Sequence, residues 1–520
     1  MKEFRHSMDI QALSRSLEEF LAASAAAVVL EDGAVAFDLR DARYSVSSQH
    51  DKCLLHLWSS ERNVVRRVLD LEQKRESLIV TVLRFGQARA TRMEICRTRD
   101  RRTPAAKSSA RAAYQALLRR VLEREFSGHT LERLTASMDL ERSFGPVHAR
   151  GVLQRGSSWT AVLGVNGQEL QASIDGSLTF GLLWLDYLRK NPGRCVVEGL
   201  SIFAPSGSSA VIRARMAHLA MGAAKWRLFE LDERAGELQE LDTSDAGNLQ
   251  TRLVHCPDDT ATRERFADSI TRIRMLAPAA EVAVLTPGEV AFRLHGLEFA
   301  RARMAQQEGS FKPAEELVFG VGAEETVVTD ETWGQFTALV KRVVALRKPA
   351  SEVKEPLWRA CPERWLESLV VKDVSTLEPC LDASCVYSQV PAFAAGDRAM
   401  IDVVAATREG RLAVIELKAD EDIHLPLQGL DYWARVRWHQ QRGEFAKFGY
   451  FQGRELSAEG PLLMLVAPAL RIHPSTDTVL SYLSREIEWQ LIAVDERWRE
   501  GVKVVFRKHR EKQLAAEERG

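Results

Sequence analysis

One segment in the last quarter of the chain, AMIDVVAATREGRLAVIELKAD, constrains the fold more than any other part of the sequence. Apolar and polar residues alternate on both sides of a turn region marked by Gly410, a pattern typical of two antiparallel strands. Asp402 faces away from its apolar neighbours in the first strand. In the second strand, Glu416 and Lys418 lie on the face opposite the apolar residues. This strand therefore carries two ionisable groups that require a partner or a function.

A helix is predicted on each side of this hairpin. In PERWLESLVVKD, Glu363 and Glu367 are four residues apart and share one helix face. In HLPLQGLDYWARVRWHQQ, Gln428, Tyr432 and Arg435 form one stripe, while the apolar residues fall on the other side as core. The polar stripe can face the hairpin.

Phosphodiester hydrolysis gives a reason for two acids and a lysine to lie together. A hard divalent cation prefers several oxygen ligands, which Asp402, Glu416 and the Leu417 carbonyl can supply. Such an ion polarises a phosphate and lowers the pKa of a bound water. Lys418 can orient that water or stabilise charge on the phosphate oxygens. The hairpin is therefore a candidate catalytic centre.

The order of these elements resembles the PD-(D/E)xK nuclease superfamily. The likeness consists of a helix with Glu367, a strand with Asp402, a strand with Glu416-Leu417-Lys418, and a helix with Gln428 and Tyr432 that is similar to the QxxxY signature of RecB-type members. It extends from Glu363 to roughly Glu496. The family's aspartate often follows a proline, and here it follows Ile401.

The resemblance implies an α/β (α+β) domain with a restriction-endonuclease-like mixed sheet flanked by helices. It also implies a nuclease that depends on Mg²⁺, for which Mn²⁺ can substitute, with DNA as its partner. The catalytic residues that it implies are Glu367, Asp402, Glu416, Lys418, Gln428 and Tyr432, and the metal ligands are Asp402, Glu416 and Leu417.

A Glu-x-Lys triplet alone has little value, because Glu352-Val353-Lys354 forms a second one in a polar stretch. The order of helix, strand, strand and helix discriminates far better. The upstream carboxylate stays open: Glu367 is the first choice, and Glu363 is equally reachable one turn earlier. The alternative without catalysis is a purely structural hairpin whose Glu416 and Lys418 charges are exposed at a sheet edge.

Short motifs recur in the same order in the two halves of the chain, which indicates a tandem duplication of residues 1–250 and 260–515. The paired motifs are VVLEDGAVAFDL with AVLTPGEVAFRL, YQALLRRVLER with FTALVKRVVALR, AVLGVN with AVIELK, the two LDY triplets, and LFELDER with LIAVDER. We predict a strand-rich accessory domain at 1–110, a degenerate nuclease-like domain at 111–250, a second accessory domain at 260–350 and the nuclease domain at 351–515.

The first copy is predicted to be catalytically dead. Aligning AVLGVN with AVIELK puts Gly164 at the position of Glu416 and Asn166 at that of Lys418, and Arg150 falls near the position of Asp402. Glycine offers no metal ligand, and arginine repels a cation. The chain would then be a pseudo-dimer with one active and one degenerate centre, cutting one strand of a duplex.

Composition narrows the function classes. Lys plus Arg is 71 and Asp plus Glu is 72, giving a net charge of −1, which excludes a uniformly basic nucleic-acid coat. The 7 cysteines form no CxxC pair, as expected for thiols in a reducing cytosol. The apolar run Phe20 to Leu30 is too short to span a bilayer and follows two glutamates, unlike a signal peptide. We expect a cytoplasmic protein without membrane contact.

Two basic clusters are candidates for nucleic-acid binding. Arg101 and Arg102 lie in CRTRDRRTPAAKSSA, which has no periodicity and is predicted as a mobile loop; a solubilising role is equally compatible with it. Arg435 and Arg437, with His439, lie on the helix after the hairpin. No GxxxxGK[ST] loop is present, so the chain contains no motor of that kind, and the sequence identifies no helicase or methylase partner.

The first functional hypothesis is a metal-dependent DNA endonuclease acting in repair, recombination or defence. A non-catalytic nucleic-acid-binding scaffold with a relic nuclease fold is the alternative from another class, and it requires the side chains of Asp402, Glu416 and Lys418 to be splayed apart. A ribonuclease is a weaker alternative, since no RNA-binding motif is recognisable. A homodimer is compatible with all three.

Overall fold

A computed structural model describes residues 10–510, except for 25–26, 32–33, 40–41, 50–51, 60–62, 74–76, 85–89, 98–103, 140–141, 192–194, 246–250, 307–312, 322–324, 352–354 and 395–396. Arg101, Arg102 and the second Glu-x-Lys triplet therefore lie outside the described residues. The chain has a mixed α+β fold with several sheets. Within the described ranges, no helix is both long enough and apolar enough to cross a membrane.

The first part of the chain is an antiparallel sheet with one helix packed on it. Its elements are α1 (Ile10–Ala22), β1 (Val28–Glu31), β2 (Ala34–Asp38), β3 (Arg43–Gln49), β4 (Lys52–Trp58), β5 (Asn63–Gln73), β6 (Ser77–Arg84) and β7 (Ala90–Cys96). The strand order is β2-β1-β7-β6-β5-β4-β3. The hairpin predicted from VVLEDGAVAFDL is confirmed as β1 and β2.

The second part contains a mixed sheet between helices. Its elements are α2 (Pro104–Glu125), β8 (Thr130–Thr135), β9 (His148–Arg155), β10 (Ser158–Val165), α3 (Gln171–Asp175), α4 (Ser177–Lys190), β11 (Val196–Pro205), α5 (Ala210–Met216), β12 (Lys225–Asp232) and β13 (Glu237–Leu241). From β8 to β13 the successive pairings are antiparallel, antiparallel, parallel, parallel and antiparallel. Leucines of α2 pack on one face of this sheet and leucines of α4 on the other.

The third part is an antiparallel meander. Its elements are β14 (Thr251–Leu253), α6 (Asp259–Arg265), α7 (Ala267–Leu276), β15 (Glu281–Thr286), β16 (Glu289–Leu294), β17 (Leu297–Gln306), β18 (Pro313–Phe319), β19 (Thr326–Val327) and α8 (Trp333–Leu346). Strands β15 to β19 pair in chain order, and the hairpin predicted from AVLTPGEVAFRL is confirmed as β15 and β16. Helices α7 and α8 bury their apolar residues against the meander.

The last part carries the predicted catalytic hairpin. Its elements are α9 (Pro356–Arg359), α10 (Pro362–Lys372), β20 (Leu381–Ala394), β21 (Asp397–Thr407), β22 (Leu412–Leu417), α11 (Leu425–Gln441), α12 (Glu444–Lys447), β23 (Leu462–Pro468), α13 (Thr476–Ser481), β24 (Trp489–Val494) and β25 (Val504–His509), with short 3-10 turns at Val374–Thr376, Ala469–Arg471 and Trp498–Glu500. From β20 to β25 the pairings repeat the series of β8 to β13. The two helices and the hairpin predicted here are confirmed.

Helix α2 differs from the expectation in two ways. It begins at Pro104, so the PAAKSSA stretch is helical and not loop, because proline is well tolerated at a first helical position and the residues after it are mostly small. Its counterpart by position is α10, since both helices precede and cover a mixed sheet, whereas α8 covers the meander. The match of YQALLRRVLER with FTALVKRVVALR therefore reflects a shared apolar period and not a shared place in the fold.

The two mixed sheets meet through their helices. Residues of α4, α5, α11 and α13 enter one continuous apolar core. A β-bridge joins Leu219 to Leu483, and it is flanked by two bonds: Ala220 N donates to the Tyr482 carbonyl at 2.9 Å, and Ser484 N donates to the His218 carbonyl at 2.8 Å. The two bonds are reciprocal, because each segment donates from the residue after the bridge and accepts at the residue before it.

A buried ion pair also joins the two sheets. The Arg215 guanidinium on α5 donates to both carboxylate oxygens of Asp431 on α11, at 3.0 and 2.8 Å. It donates to the Asp175 carbonyl as well, at 2.6 Å. The Arg215 side chain is 7% exposed, so removal of one partner leaves an unpaired charge in a dry contact.

We expect Arg215→Leu to lower the free energy of unfolding by about 2–3 kcal/mol, because Asp431 then lacks its partner at the contact between the two sheets. Urea unfolding measures the change. Lys190→Gln, which breaks an exposed pair with Asp186 on α4, should cost less than about 1 kcal/mol. Adding Asp431→Leu to Arg215→Leu should recover part of the loss, and a double variant as unstable as the single one would contradict this account.

Candidate active site

The antiparallel register of β21 and β22 brings Asp402 and Glu416 together. Val403 pairs with Ile415, so the next position along the ladder sets Asp402 opposite Glu416. Oδ2 of Asp402 accepts a hydrogen bond from Leu417 N at 3.3 Å. Every residue of β22 is buried, because the strand lies between β21 and β23 and is covered on both faces. The two acids therefore meet at the end of a rigid central strand.

Glu416 is only 1% exposed, and its Oε2 atom has no hydrogen-bond partner. Burial raises the pKa of the Glu416 carboxyl well above its ordinary value, and the nearby Asp402 charge raises it further. Lys418 opposes this shift. The pair therefore resists carrying two negative charges unless a cation joins it.

Lys418 follows β22 directly. Its backbone N donates to the Val466 carbonyl at 2.9 Å, which extends the parallel ladder by one residue. Its Nζ lies 3.4 Å from Oε1 of Glu416 and 3.8 Å from Oδ2 of Asp422. Burial on its own would lower the pKa of Lys418, but Glu416 and the other nearby carboxylates outweigh it and raise that pKa. Lys418 is thus a fixed positive charge beside the acid pair.

Helix α10 brings both candidate upstream carboxylates to this region. Glu367 is buried, and its Oε2 accepts from Arg364 Nη1 at 3.0 Å and from Gln389 Nε2 at 2.8 Å. Burial raises the pKa of Glu367; Arg364 lowers it, and the Asp402 charge raises it. Glu363 is half-buried, and its charge acts on Lys418. Glu367 lies deeper and within the electrostatic reach of Asp402.

Helix α11 closes the other side of the site. It can approach the sheet because Gly429 lacks a side chain: a Cβ there would lie 2.5 Å from Leu465 Cδ2 and 3.6 Å from Glu416 Cβ. Burial raises the pKa of Tyr432 well above its ordinary value, and the charges of Glu416 and Asp402 raise it further. Tyr432 is therefore close to both acids.

Two further polar side chains of α11 are buried without partners. Oε1 of Gln428 and the Nε and Nη1 atoms of Arg435 have no hydrogen-bond partner, and the Arg435 guanidinium lies 5.9 Å from the Tyr432 ring. Unsatisfied buried donors and acceptors cost about 1–3 kcal/mol each. Together with Oε2 of Glu416 they place four unpaired polar atoms on α11 and β22.

The other predicted basic residues of α11 do not belong to this group. Nη1 of Arg437 donates to Gln440 Oε1 at 3.0 Å and to the Ala458 carbonyl at 2.9 Å. His439 is fully buried, with one ring nitrogen 2.5 Å from Glu444 Oε2 and the other 3.0 Å from Thr251 Oγ1. Arg437 thus braces a loop, because helical periodicity turns it away from Arg435. His439 shares the face of Arg435 but ties α11 to its surroundings through Glu444 and Thr251.

Arginines near the first predicted basic cluster are also engaged within the protein. Arg111 pairs with Glu169 at 2.6 Å, Arg119 lies 3.8 Å from Glu123, and Arg97 stacks over Phe20 at 5.0 Å. These contacts give the described arginines structural roles.

Sequence reasoning missed four residues that surround the acids. Arg364 and Gln389 bind Glu367, and Asp422 lies near Lys418. Arg293 comes from β16 of the meander and lowers the pKa of Glu367 from a distance. The contact of Arg364 with Glu367 could have been predicted from the sequence, because the two residues lie three apart on one helix face. The other contacts depend on tertiary packing.

The donor set suits a hard cation. In the described part of the chain, no group of three or more His, Cys, Asp or Glu side chains is arranged to hold a metal ion. The centre instead offers the two carboxylates of Asp402 and Glu416, with the Leu417 carbonyl next to them. The unpartnered Oε2 of Glu416 fits such an ion, because a divalent cation with water ligands needs few protein oxygens.

The first mixed sheet has different residues at the corresponding positions. In the first sheet, Leu163 of β10 pairs with Arg150 of β9 and with Ile202 of β11. In the second sheet, Glu416 of β22 lies in the same way between Asp402 of β21 and Leu465 of β23. The side chains of Ile202 and Leu465 both line the shared helical core. Leu163 and Arg150 therefore correspond to Glu416 and Asp402.

The alignment of Gly164 with Glu416, of Asn166 with Lys418 and of Arg150 near Asp402 stays a prediction, and by ladder position it is Leu163 that lies where Glu416 does. A one-residue shift changes the face: a Cβ on Gly164 would meet Leu118 and Tyr114 of α2, on the opposite side of the sheet from α4. The first sheet has no acid at either position.

Comparison with known proteins gave no relative: no family model matches the chain, and no curated protein matches its sequence significantly.

We expect Glu416→Gln to stabilise the metal-free protein by on the order of 1 kcal/mol near pH 8, because it removes the repulsion between the buried Glu416 and the half-buried Asp402. The raised pKa of Glu416 means that the folded state holds a proton that the unfolded state releases, so the stability of the wild-type protein falls as pH rises above about 4.5. Unfolding in EDTA at pH 5 and pH 8 measures the difference in stability between the variant and the wild type, which should be larger at pH 8.

The matched control is Glu409→Gln, an exposed carboxylate in the turn of the same hairpin. It should leave the stability nearly unchanged at both pH values. A Glu416→Gln protein less stable than the wild type at pH 8 would show that the two acids do not repel each other.

Proposed function

We propose that the chain is a metal-dependent endonuclease that hydrolyses phosphodiester bonds in DNA at a centre formed by Asp402, Glu416 and Lys418. The observation that carries this proposal is the meeting of two acids and a lysine at the end of β22, with an unpartnered buried oxygen on Glu416. A relic scaffold would not need to retain this arrangement, because it opposes folding.

The residues of the centre would have different roles in the reaction. Asp402, Glu416 and the Leu417 carbonyl would hold Mg²⁺, or Mn²⁺ in its place. When bound, the ion supplies charge stabilisation to the phosphate and a lowered pKa to a water ligand. Lys418 stabilises negative charge on the phosphate oxygens or orients the attacking water. Glu367, held by Arg364 and Gln389, reinforces the negative field around the ion.

Helix α11 provides the contacts for the DNA strand. The two unpartnered nitrogens of Arg435 can donate to phosphate oxygens, because a guanidinium matches phosphate geometry. Tyr432 and Gln428 lie one turn and two turns earlier on the helix, and Tyr432 is close to the acids. They would fix the orientation of the scissile phosphate.

The restriction-endonuclease-like fold and the duplication belong to the same proposal. The six strands β8 to β13 and the six strands β20 to β25 share one series of pairings, and each set is preceded by a helix and carries a helix after its third strand. The reciprocal bonds around Leu219 and Leu483 join the segments that follow α5 and α13, the helices after the fourth strand of each set. Such a contact is what a two-fold interface between two copies would produce.

The two copies would differ in chemistry. The first sheet carries Arg150 and Leu163 where the second carries Asp402 and Glu416. A chain with one competent centre breaks one strand of a duplex in each encounter.

We expect Asp402→Ala and Lys418→Ala each to abolish cleavage and to change DNA affinity little, because both groups act on the reacting phosphate and Arg435 and its neighbours hold the strand. The loss should be at least about 10²–10³-fold in rate, the usual effect of removing one group that stabilises transition-state charge. Nicking of plasmid DNA with Mg²⁺ or Mn²⁺ measures cleavage, and a mobility shift in EDTA measures binding.

Glu409→Ala serves as the control for removal of an acid from this hairpin and should cleave normally. Full activity in both the Asp402 and Lys418 variants would remove this centre from consideration. Binding without cleavage by the wild-type protein, across linear, nicked, flapped and branched DNAs, would favour the scaffold alternative, and cleavage confined to RNA would favour a ribonuclease.

A time course on supercoiled plasmid should show the nicked circle accumulating well before the linear form, because only one competent centre meets the duplex. Gel quantification of the three forms measures this order. Linear product that appears without a nicked intermediate would contradict a single centre per chain, unless it depends on protein concentration as expected for a homodimer.

A further inference from the structure

The first mixed sheet has a cavity of about 280 Å³ where it meets α4. Small-molecule sites begin near about 300 Å³, so a phosphate group with part of its sugar fits in this volume. Residues lining the cavity include three arginines and three aromatic residues: Arg133, Arg142, Arg150, Phe144, Trp184 and Tyr187. Its one acid is Asp139. The lining is therefore cationic.

Arg150 is a buried cation, and among the described residues the carboxylate whose charge acts on it is Asp139. It is 3% exposed, and its guanidinium donates to the Ser137 carbonyl at 2.5 Å and the Gly145 carbonyl at 3.3 Å. It also lies over the Phe144 ring at 4.4 Å. Within the described ranges, no carboxylate forms an ion pair with it. A charge buried in this way is costly unless an anion accompanies it.

The other two arginines differ in how they are held. Arg142 donates to Asp139 Oδ2 at 2.6 Å and lies over the Tyr187 ring at 4.7 Å. Asp139 is thus paired with Arg142, and its charge also acts on Arg150. Arg133 is exposed on β8, and the described part of the chain offers its side chain no hydrogen bond. The three arginines and Asp139 together give the described lining of the cavity a net charge of plus two.

The cavity occupies the place that the catalytic centre occupies in the second sheet. Arg150 corresponds to Asp402, and Trp184 and Tyr187 come from the helix after the third strand, as Tyr432 and Arg435 do. In the second sheet, two acids require a cation before a phosphate can approach. In the first sheet, arginines provide the positive charge directly.

We propose that this cavity is a metal-independent phosphate site that takes a backbone phosphate of the bound nucleic acid. Identification of the phosphate as that of DNA rests on the proposed function, whereas affinity for phosphate rests on the arginines alone. Guanidinium groups bind phosphate oxygens through paired, charge-assisted hydrogen bonds. The first sheet would then hold the substrate while the second cuts it.

The test uses the full chain carrying Asp402→Asn, which prevents cleavage, in EDTA. Calorimetry compares a deoxynucleoside 5′-monophosphate with the matching nucleoside. The nucleotide should bind and the nucleoside should not, and Arg133→Gln and Arg142→Gln should each weaken nucleotide binding roughly tenfold. Equal binding of both ligands, or binding insensitive to these substitutions, would overturn the proposal.

Arg155→Gln is the matched control, because Arg155 is exposed at the far end of β9 and does not line the cavity. It should leave nucleotide affinity unchanged. Arg150→Lys keeps a buried charge and loses the planar fork, so weaker nucleotide binding at unchanged thermal stability would support a direct role for the guanidinium.

Fluorescence anisotropy with single-stranded DNA separates the two sources of phosphate. If the site takes the backbone, Arg133→Gln should weaken DNA binding and reduce the slope of log K against log salt by about 0.7, as loss of one phosphate contact does. An unchanged slope together with weaker nucleotide binding would assign the site to free nucleotides and overturn the DNA assignment. Nucleotide binding in a protein that cuts no nucleic acid would reject the proposed function and retain the site.

Discussion

The enforced proximity of Asp402 and Glu416 is the constraint on which the catalytic interpretation depends. Their carboxyl groups meet because the antiparallel ladder of β21 and β22 leaves them no other position. Burial raises the pKa of Glu416 and makes the doubly charged state costly. The apolar residues of β22 and β23 on either side offset that cost, since their burial on both faces stabilises the strands that hold the acids.

The sequence was sufficient for the local architecture of the centre. Alternation with period two predicted the hairpin, and the apolar stripes of α10 and α11 predicted two helices that the structure contains. These patterns report on which face each side chain occupies, so the shared face of Glu416 and Lys418 followed from them. The contacts of Glu367 with Gln389 and the influence of Arg293 could not be predicted, because they join elements distant in sequence.

The predicted alignment of the two halves depends on strand register. AVLGVN and AVIELK match letter by letter with Gly164 on Glu416, yet strand pairing relates Leu163 to Glu416. Since side chains alternate between faces, an error of one residue exchanges the helix-facing and opposite sides of the sheet. Ladder register and the core shared by the helices resolve this ambiguity, and sequence similarity over six residues does not.

The two sheets illustrate two solutions to one electrostatic problem, the approach of a polyanion to a protein surface. Acids at the end of a central strand recruit a mobile cation, which is suited to chemistry because the ion can activate water. Arg150 at the corresponding position is a cation fixed by backbone carbonyls and an aromatic ring, which is suited to holding. Because a fixed guanidinium supplies no activated water, a centre of the second kind binds without cutting. Under the function proposed above, the second sheet would cut the strand and the first would hold it.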